Sequence, residues 1–514
     1  MILRLEGGIP ALVICAAALS VDAAAAQTAP PKIEGVLTIL WADPRPGFKG
    51  GETRFNLTLP SGVTLPLALN PSQHTSAIGA FGKRVEVEGS VTSGPAGPER
   101  VAATKITLAE SGEAPLQPKL PATKRVLYVL LKFKGDAQTP HSPNFYTALT
   151  NPLTGSAAWK IPATINGFYD KTSWSRLRWA GSVVGLGGLN PAQWLTLPRP
   201  KTAYANCGWS SACANIGLIV SDAMALVAAQ GVSTASFDNI NFVFNNDLDC
   251  CAYGGSFYYN GKVYGATWEP PWGQETGIYV HEFGHSIGLP HSGWVYYAYD
   301  SPWDNMSQGA DARQILCGSY VSANSGKQTR NLYCTEPGAG YIAPHKDRLG
   351  WIPAANKVIV NSKSTRTVTL EANSVALATG IKMIKICIVN EACDGLAAHY
   401  LTVEARVKTA QFDLGLPGEG IVIHDFRANR GPLGGGNPCF FNTQSGWAVP
   451  IDATPGDWRS APYCDSGGRI YPNYALHNAH FGAGKSYANA GTGIRVDVLS
   501  RTGTNFSVRV TRSK

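Results

Sequence analysis

The sequence predicts a multidomain protein: a small β domain at the N-terminus, an α/β domain in the middle and a β-sandwich at the C-terminus. Three observations carry this expectation. The chain has 514 residues, more than one ordinary core holds. Short, partly alternating apolar runs bounded by Gly and Pro cluster towards both ends, whereas strand-like and helix-like runs alternate between them. Gly (56) and Pro (34) are abundant and charged residues are only 15%, the balance of a globular chain rich in strands and loops.

Residues 1–26 read as a secretory signal, with Arg4, the apolar run "IPALVICAAALSV" and the small residues "AAAAQ" that place cleavage after Ala26. No other stretch reaches the ~18 apolar residues of a membrane span, so the expected product is secreted and not membrane-spanning. Lys and Arg (43, against 35 Asp and Glu) are scattered rather than clustered, which argues against a nucleic-acid-binding face. Of eleven cysteines, Cys15 leaves with the signal, and the rest are even in number, as an oxidising compartment favours. Close spacing suggests the pairs Cys207/Cys213, Cys317/Cys334, Cys387/Cys393 and Cys439/Cys464, with distant partners for Cys250 and Cys251.

Residues 27–125 form the N-terminal β domain, with the strand-like runs "GVLTILWA", "TRFNLTLP", "KRVEVEGSV" and "VAATKITLAE". They fit a small OB-like barrel followed by the Pro-rich linker "SGEAPLQPKLPATKR". This domain is a candidate propeptide. Residues 126–352 open with the continuous apolar run "VLYVLLKF", expected of a strand covered on both faces. "SDAMALVAAQG" follows as a helix with Ser221 as its N-cap and Gly231 as its stop, and "INFVFNN" as a strand. Residues 353–514 return to β patterning in "TRTVTLEA", "KMIKICIV", "YLTVEARV", "GIVIHDF" and "NFSVRV".

The informative segment is "TGIYVHEFGHSIGLPHSGW". His281 and His285 are four apart, so on a helix they share a face and reach one ion. Glu282 stands beside that face, where a carboxylate that is not itself a ligand can accept a proton from zinc-bound water. Gly288 and Pro290 end the helix and let His291 turn back as a third ligand. Imidazole ligands suit Zn2+, and three protein ligands with one open position are the pattern of catalytic zinc.

The complete pattern, H-E-x-x-H-x-x-G-x-x-H, resembles the metzincin clan of zinc endopeptidases. The resemblance implies an α/β metzincin-like catalytic domain at residues 126–352, with His281, His285 and His291 on zinc, Glu282 as general base, and Met306 in a supporting turn beneath the metal. Within the clan the sequence is most similar to gametolysin-like secreted proteases, related to the immune-inhibitor-A-like group. The cues are "NGFYDKTSWSRLRW", "HEFGHSIGLPHSG", "HKDRLGWI" and "HYLTVEARV" with "LPGEGIVIHDF", spread over roughly residues 126–430. The implied partners are extracellular protein or glycoprotein substrates. No Tyr follows Met306 at the spacing of astacin-like members; Ser307 and Gln308 stand there.

Other segments carry weaker expectations. "GKVYGATW", Gly261 to Trp268, is the candidate edge strand for an extended substrate. Asp247, Asp249, Asp300 and Asp304 are candidate calcium ligands, weighed against turn-capping acids. "FKGD", ending at Asp136, resembles the aspartate switch of astacin-like propeptides but reads better as a strand end and turn. His345, His399, His424, His477 and His480 lack ligand spacing. The rival to a protease is a secreted adhesin or matrix-binding protein with a structural zinc site, against which stands the lack of a fourth protein ligand near His291 in the sequence.

Overall fold

The computed structural model describes residues 31–45, 51–92, 99–109, 122–293, 299–309, 311–389, 393, 398–409, 411–428, 430, 447–454, 463–464, 470–471 and 475–514. The signal segment 1–26 lies outside the described residues, as does Cys439 of the expected Cys439/Cys464 pair.

The N-terminal unit comprises β1 (Lys32–Pro44), β2 (Glu52–Thr58), β3 (Thr64–Ala68), α1 (Pro71–Gly79), β4 (Arg84–Thr92) and β5 (Arg100–Leu108). The strands pair in the order β1-β2-β3-β5-β4 and back to β1, closing a small five-stranded barrel. The alternation read from "KRVEVEGSV" is the cause: Val85 and Val87 point inward with Leu37, Leu57 and Val101, all fully buried.

The central unit runs β6 (Ala122–Lys132), α2 (Pro143–Thr150), α3 (Ile165–Thr172), β7 (Leu177–Val183), β8 (Leu195–Thr196), α4 (Lys201–Tyr204), α5 (Ile216–Ala229), β9 (Asn239–Phe244), β10 (Cys251–Tyr259), β11 (Lys262–Glu269), α6 (Thr276–Ser286), the hairpin β12 (Asp311–Val321) and β13 (Thr329–Pro337), and α7 (Ala343–Arg348). Its sheet is ordered β7-β6-β9-β11-β10, parallel throughout except for β10. Both faces are covered, as the apolar run in β6 requires. Leu127, Val129 and Leu131 pack with α5, and Val126, Tyr128 and Leu130 pack with α2, α3 and α6.

The C-terminal unit contains β14 (Lys357–Val360), β15 (Ser364–Glu371), β16 (Met383–Val389), β17 (His399–Arg406), β18 (Gly420–Arg427), β19 (Ala448–Pro450), β20 (Tyr463–Cys464), β21 (Ile470–Tyr471), β22 (Ser486–Asn489), β23 (Ile494–Thr502) and β24 (Asn505–Arg512). A five-stranded sheet, β14-β16-β17-β18-β19, and a four-stranded sheet, β15-β24-β23-β22, share one apolar core, which makes a sandwich. At its seam with the central unit, buried Arg406 donates to the Trp303 carbonyl and to Asp413, each at 2.6 Å, while Glu404 accepts from the Ala343 N–H at 3.0 Å.

Several expectations change. Helix α5 begins at Ile216 with Asn215 as its cap, and Ser221 lies inside it, because the preceding "IGLIV" continues the helix and the Asn215 side chain accepts from the Leu218 N–H. Gly231 does end it, at φ +70. Cys250 and Cys251 are bonded to each other, not to distant partners; the other described bridges are Cys207–Cys213, Cys317–Cys334 and Cys387–Cys393. "GKVYGATW" forms β11, an interior strand between β9 and β10. The edge of the central sheet is β10, and it is not bare. The end of β1 pairs antiparallel with it, Leu40 opposite Gly255 through Pro44 opposite Cys251, so barrel and central sheet are one continuous surface. Among the described residues no helix is long and apolar enough to cross a membrane.

His141 offers a clean check on this packing. Its ring stacks on Phe145 with centroids 3.8 Å apart, and burial pushes the imidazole down to about 4. Folding therefore keeps it neutral where the unfolded chain, with an ordinary histidine pKa near 6.5, takes up a proton. The stability it contributes is complete above about pH 6.5, falls as the pH drops towards 4 by an amount on the order of 3 kcal/mol, and changes no further below. In urea titrations across that range, His141→Phe should flatten this part of the pH dependence.

Candidate metal centre

Helix α6 carries the first two histidines. Glu275 caps it, its carboxylate accepting from the N–H groups of Gly277 and Ile278 at 2.7 and 2.8 Å. The helix stops where Gly288 takes φ +92, a conformation that costs other residues strain. His291 then returns to the helix face. The Nε2 atoms of His281 and His291 lie 3.1 and 3.2 Å from that of His285. All three side chains are buried.

The other ring nitrogens fix the tautomers. His281 Nδ1–H donates to the Asn305 carbonyl at 2.6 Å, and His285 Nδ1–H to the Leu289 carbonyl at 2.7 Å. Both Nε2 lone pairs therefore face the centre. A fourth donor comes from outside the motif: Asp43, at the end of β1, with Oδ2 3.0 Å from His285 Nε2 and 3.4 Å from His281 Nε2, and Oδ1 2.9 Å from His291 Nε2. Asp43, His281, His285 and His291 form a buried group able to hold a metal ion. Tetrahedral zinc with ligands at 2.0–2.2 Å spaces its donor atoms by roughly 3.3 Å. The observed separations of 2.9 to 3.4 Å fit that, and neutral imidazole plus carboxylate is a donor set zinc accepts.

Glu282 points beside the histidines. It is 1% exposed, and its Oε2 has no hydrogen-bond partner among the described residues. Burial, then the neighbouring Asp43 and Glu269 carboxylates, push its pKa well above the usual carboxylate range. A cation among the histidines would oppose that rise.

Met306 lies fully buried beneath α6. A β-carbon at Gly284 would fall 2.3 Å from Met306 Sδ and 2.9 Å from the Tyr341 hydroxyl. The Gly between the two ligand histidines is thus the space Met306 needs. The Met306 carbonyl accepts from the Ser292 N–H at 3.2 Å, which ties the turn to the residue after His291. On the opposite side, a β-carbon at Gly254 of β10 would meet the Glu282 carbonyl at 2.6 Å, so helix and edge strand also touch through a glycine.

The predicted residues His281, Glu282, His285, His291 and Met306 thus come together. Sequence reasoning missed Asp43, and with it the fourth donor thought absent near His291. It missed Tyr299, whose hydroxyl donates to Asp43 Oδ1 at 2.6 Å and whose ring lies edge-on to His291 with centroids 5.2 Å apart. It missed Trp41, stacked on His285 at 4.6 Å. "LTILWADP" reads only as a strand ending in a turn, and nothing local marks Asp43 as a ligand.

Asp136 caps a turn through the Gln138 N–H, as expected. Three of the four candidate calcium acids have protein donors: Asp247 accepts from the Tyr320 and Ser322 hydroxyls, Asp249 from the Cys213 and Ala214 N–H groups, and Asp304 from Ser292. His345, 2.9 Å from Asp304, holds that loop rather than the metal group.

Gly284→Ala should displace Met306. Zinc affinity is expected to fall at least tenfold and the melting temperature by several degrees, since added core volume typically costs about 1–3 kcal/mol. Competition with a chromogenic chelator measures the first and calorimetry the second; an unchanged affinity would separate Met306 from support of the metal group. Compared with known proteins, the chain matches no family model and no curated protein.

Proposed function

We propose that the chain is a secreted zinc-dependent endopeptidase of the metzincin type, with gametolysin-like character, acting on extracellular proteins. The observation that carries this reading is the pairing of three converging histidine nitrogens with a buried Glu282 whose Oε2 has no hydrogen-bond partner among the described residues. His281, His285 and His291 would hold a zinc ion, which would supply Lewis acidity to polarise a carbonyl and to lower the pKa of a water to about 7. Glu282 accepts the proton of the attacking water and passes it to the leaving amine. The edge of β10 binds the substrate backbone as an added strand, which favours extended polypeptide over a compact small amide. The four bridges and the leader-like residues 1–26 support export. The barrel connectivity, with α1 between its third and fourth strands, supports the OB-like reading.

Asp43 favours a second reading, in which a four-donor zinc site is structural and the protein is an adhesin or matrix-binding protein. A closed structural site has no use for Glu282, however, and burying a carboxylate oxygen without a partner costs free energy that a purely structural design would avoid.

Glu282→Gln separates the two. With about one zinc retained per chain, casein hydrolysis should drop by roughly 10²–10⁴-fold, and a chelator should abolish the parent activity. The comparison is made in the unaltered chain and in an Asp43→Ala background, because Asp43 competes for the same centre. Chelator-insensitive hydrolysis, or full activity in Glu282→Gln, would rule out the assigned mechanism.

A further inference from the structure

We propose that Cys207, Cys213, Cys250 and Cys251 form a thiol–disulfide exchange site around the carboxylate of Asp249, in which a small dithiol opens the exposed bridge and the freed Cys213 then attacks the buried one. The site lies on the face of the sheet away from α6, where Cys250 and Cys251 belong to the core that packs with α5. It works whether or not the chain is a peptidase.

Three observations converge. Neither bridge joins distant parts of the chain: Cys207–Cys213 has a sequence separation of 6 and Cys250–Cys251 of 1. The chain-entropy gain from a bridge grows with the loop it closes, so both are weak staples. The two stretches nevertheless meet at one carboxylate. The Sγ atoms of Cys207 and Cys213 lie within 4.8 Å of an Asp249 oxygen, and so do those of Cys250 and Cys251. Asp249 also fixes the backbones, Oδ2 accepting from the N–H groups of Cys213 and Ala214 at 2.8 Å each and Oδ1 from the Cys251 N–H at 3.0 Å. Two residues whose N–H groups bind one carboxylate stand close to the Cα separation of about 4.4–6.8 Å that a bridge requires. Exposure is the third observation: Cys213 is exposed and Cys207 half-buried, whereas Cys250 and Cys251 are fully buried. A thiol in solvent reaches the first bridge directly and the second only through it.

In the exchange, a thiolate of the dithiol attacks Cys207 Sγ, the Cys207–Cys213 bond breaks and Cys213 leaves as a thiolate. Cys213 then attacks Cys251 Sγ; the Cys213–Cys251 bond forms, the Cys250–Cys251 bond breaks and Cys250 leaves as a thiolate. The second thiol of the dithiol displaces Cys207 and closes a disulfide with the first. Two electrons and two protons thus pass from the dithiol, which is oxidised, to Cys207 and Cys250, which end as thiols. Burial pushes the Asp249 carboxyl up, towards the thiols beside it, so it suits the transfer of a proton to the departing Cys250. The product bridge joins stretches as far apart as Cys213 and Asp249, 36 positions along the chain, and its longer loop favours it by chain entropy.

The test treats the oxidised full chain with limiting dithiothreitol, quenches with N-ethylmaleimide and maps thiols and bridges by mass spectrometry, with Cys317–Cys334 and Cys387–Cys393 as internal references. Thiols should appear together on Cys207 and Cys250, with a new Cys213–Cys251 bridge. The double variant Cys207→Ser, Cys213→Ser lacks the internal nucleophile and should open Cys250–Cys251 roughly tenfold more slowly, because a tethered thiolate acts at high effective concentration. Cys207→Ser alone leaves Cys213 as a thiol and needs no reductant; as purified it should hold the Cys213–Cys251 bridge and a Cys250 thiol. Complete reduction of Cys207–Cys213 with Cys250–Cys251 intact, or equal rates in parent and double variant, would mark two purely structural bridges and overturn the proposal. A Cys207→Ser chain that keeps Cys250–Cys251 beside a Cys213 thiol would also overturn it, and this variant keeps the question answerable if the double variant does not fold.

Discussion

Three histidines and a carboxylate, their potential ligand atoms all within 4.8 Å of one another in a buried group, are the constraint on which the surrounding structure depends. Without a cation, three neutral imidazoles and a carboxylate in that arrangement repel through their lone pairs and lose their water as well. With one, the same geometry becomes a strong attraction. The neighbouring elements are arranged to hold this otherwise unfavourable convergence: the Asn305 and Leu289 carbonyls orient two rings, Trp41 stacks on one of them, and Arg406 grips the Trp303 carbonyl three residues before Met306.

Glycine is the device that brings the layers close enough. At Gly284 the missing side chain lets Met306 rest directly on α6, at Gly254 it lets β10 lie against the Glu282 backbone, and at Gly288 both the positive φ and the proximity of Phe81 exclude a larger residue. Each position links one functional side chain to one neighbouring element. The helix, the edge strand, the turn and the barrel therefore meet at a single point, and a change at any of these glycines should be felt at the histidines as well as in stability.

Much of this was legible in the sequence, for physical reasons. The spacing of His281, His285, Gly288 and His291 encodes a helix, its end and a return within eleven residues, so the local chemistry could be read directly. The alternating valines of β4 and the unbroken apolar run of β6 likewise report one buried face and two. Asp43 and Tyr299 were not legible, because their roles depend on which strand lies beside which, and pairing of β1 with β10 joins residues more than 200 apart. The edge strand was misplaced by one for the same reason: β10 and β11 are both apolar and aromatic, and only the sheet order tells an outer strand from an inner one. Ser221 shows the opposite failure, a good capping residue overridden by apolar residues on its N-terminal side that continue the helix.

The position of β1 also resolves a conflict built into this sheet. An outer strand such as β10 leaves its main-chain donors and acceptors unpaired unless another strand covers it, and an unpaired edge is what leads β proteins to aggregate. Strand β1 resolves it by serving two sheets at once: its first residues close the barrel against β4, and its last cover β10. A short ladder contributes on the order of 1 kcal/mol per main-chain hydrogen bond, and the aromatic stack on His285 adds about as much again. The ladder and the stack together protect the edge of β10.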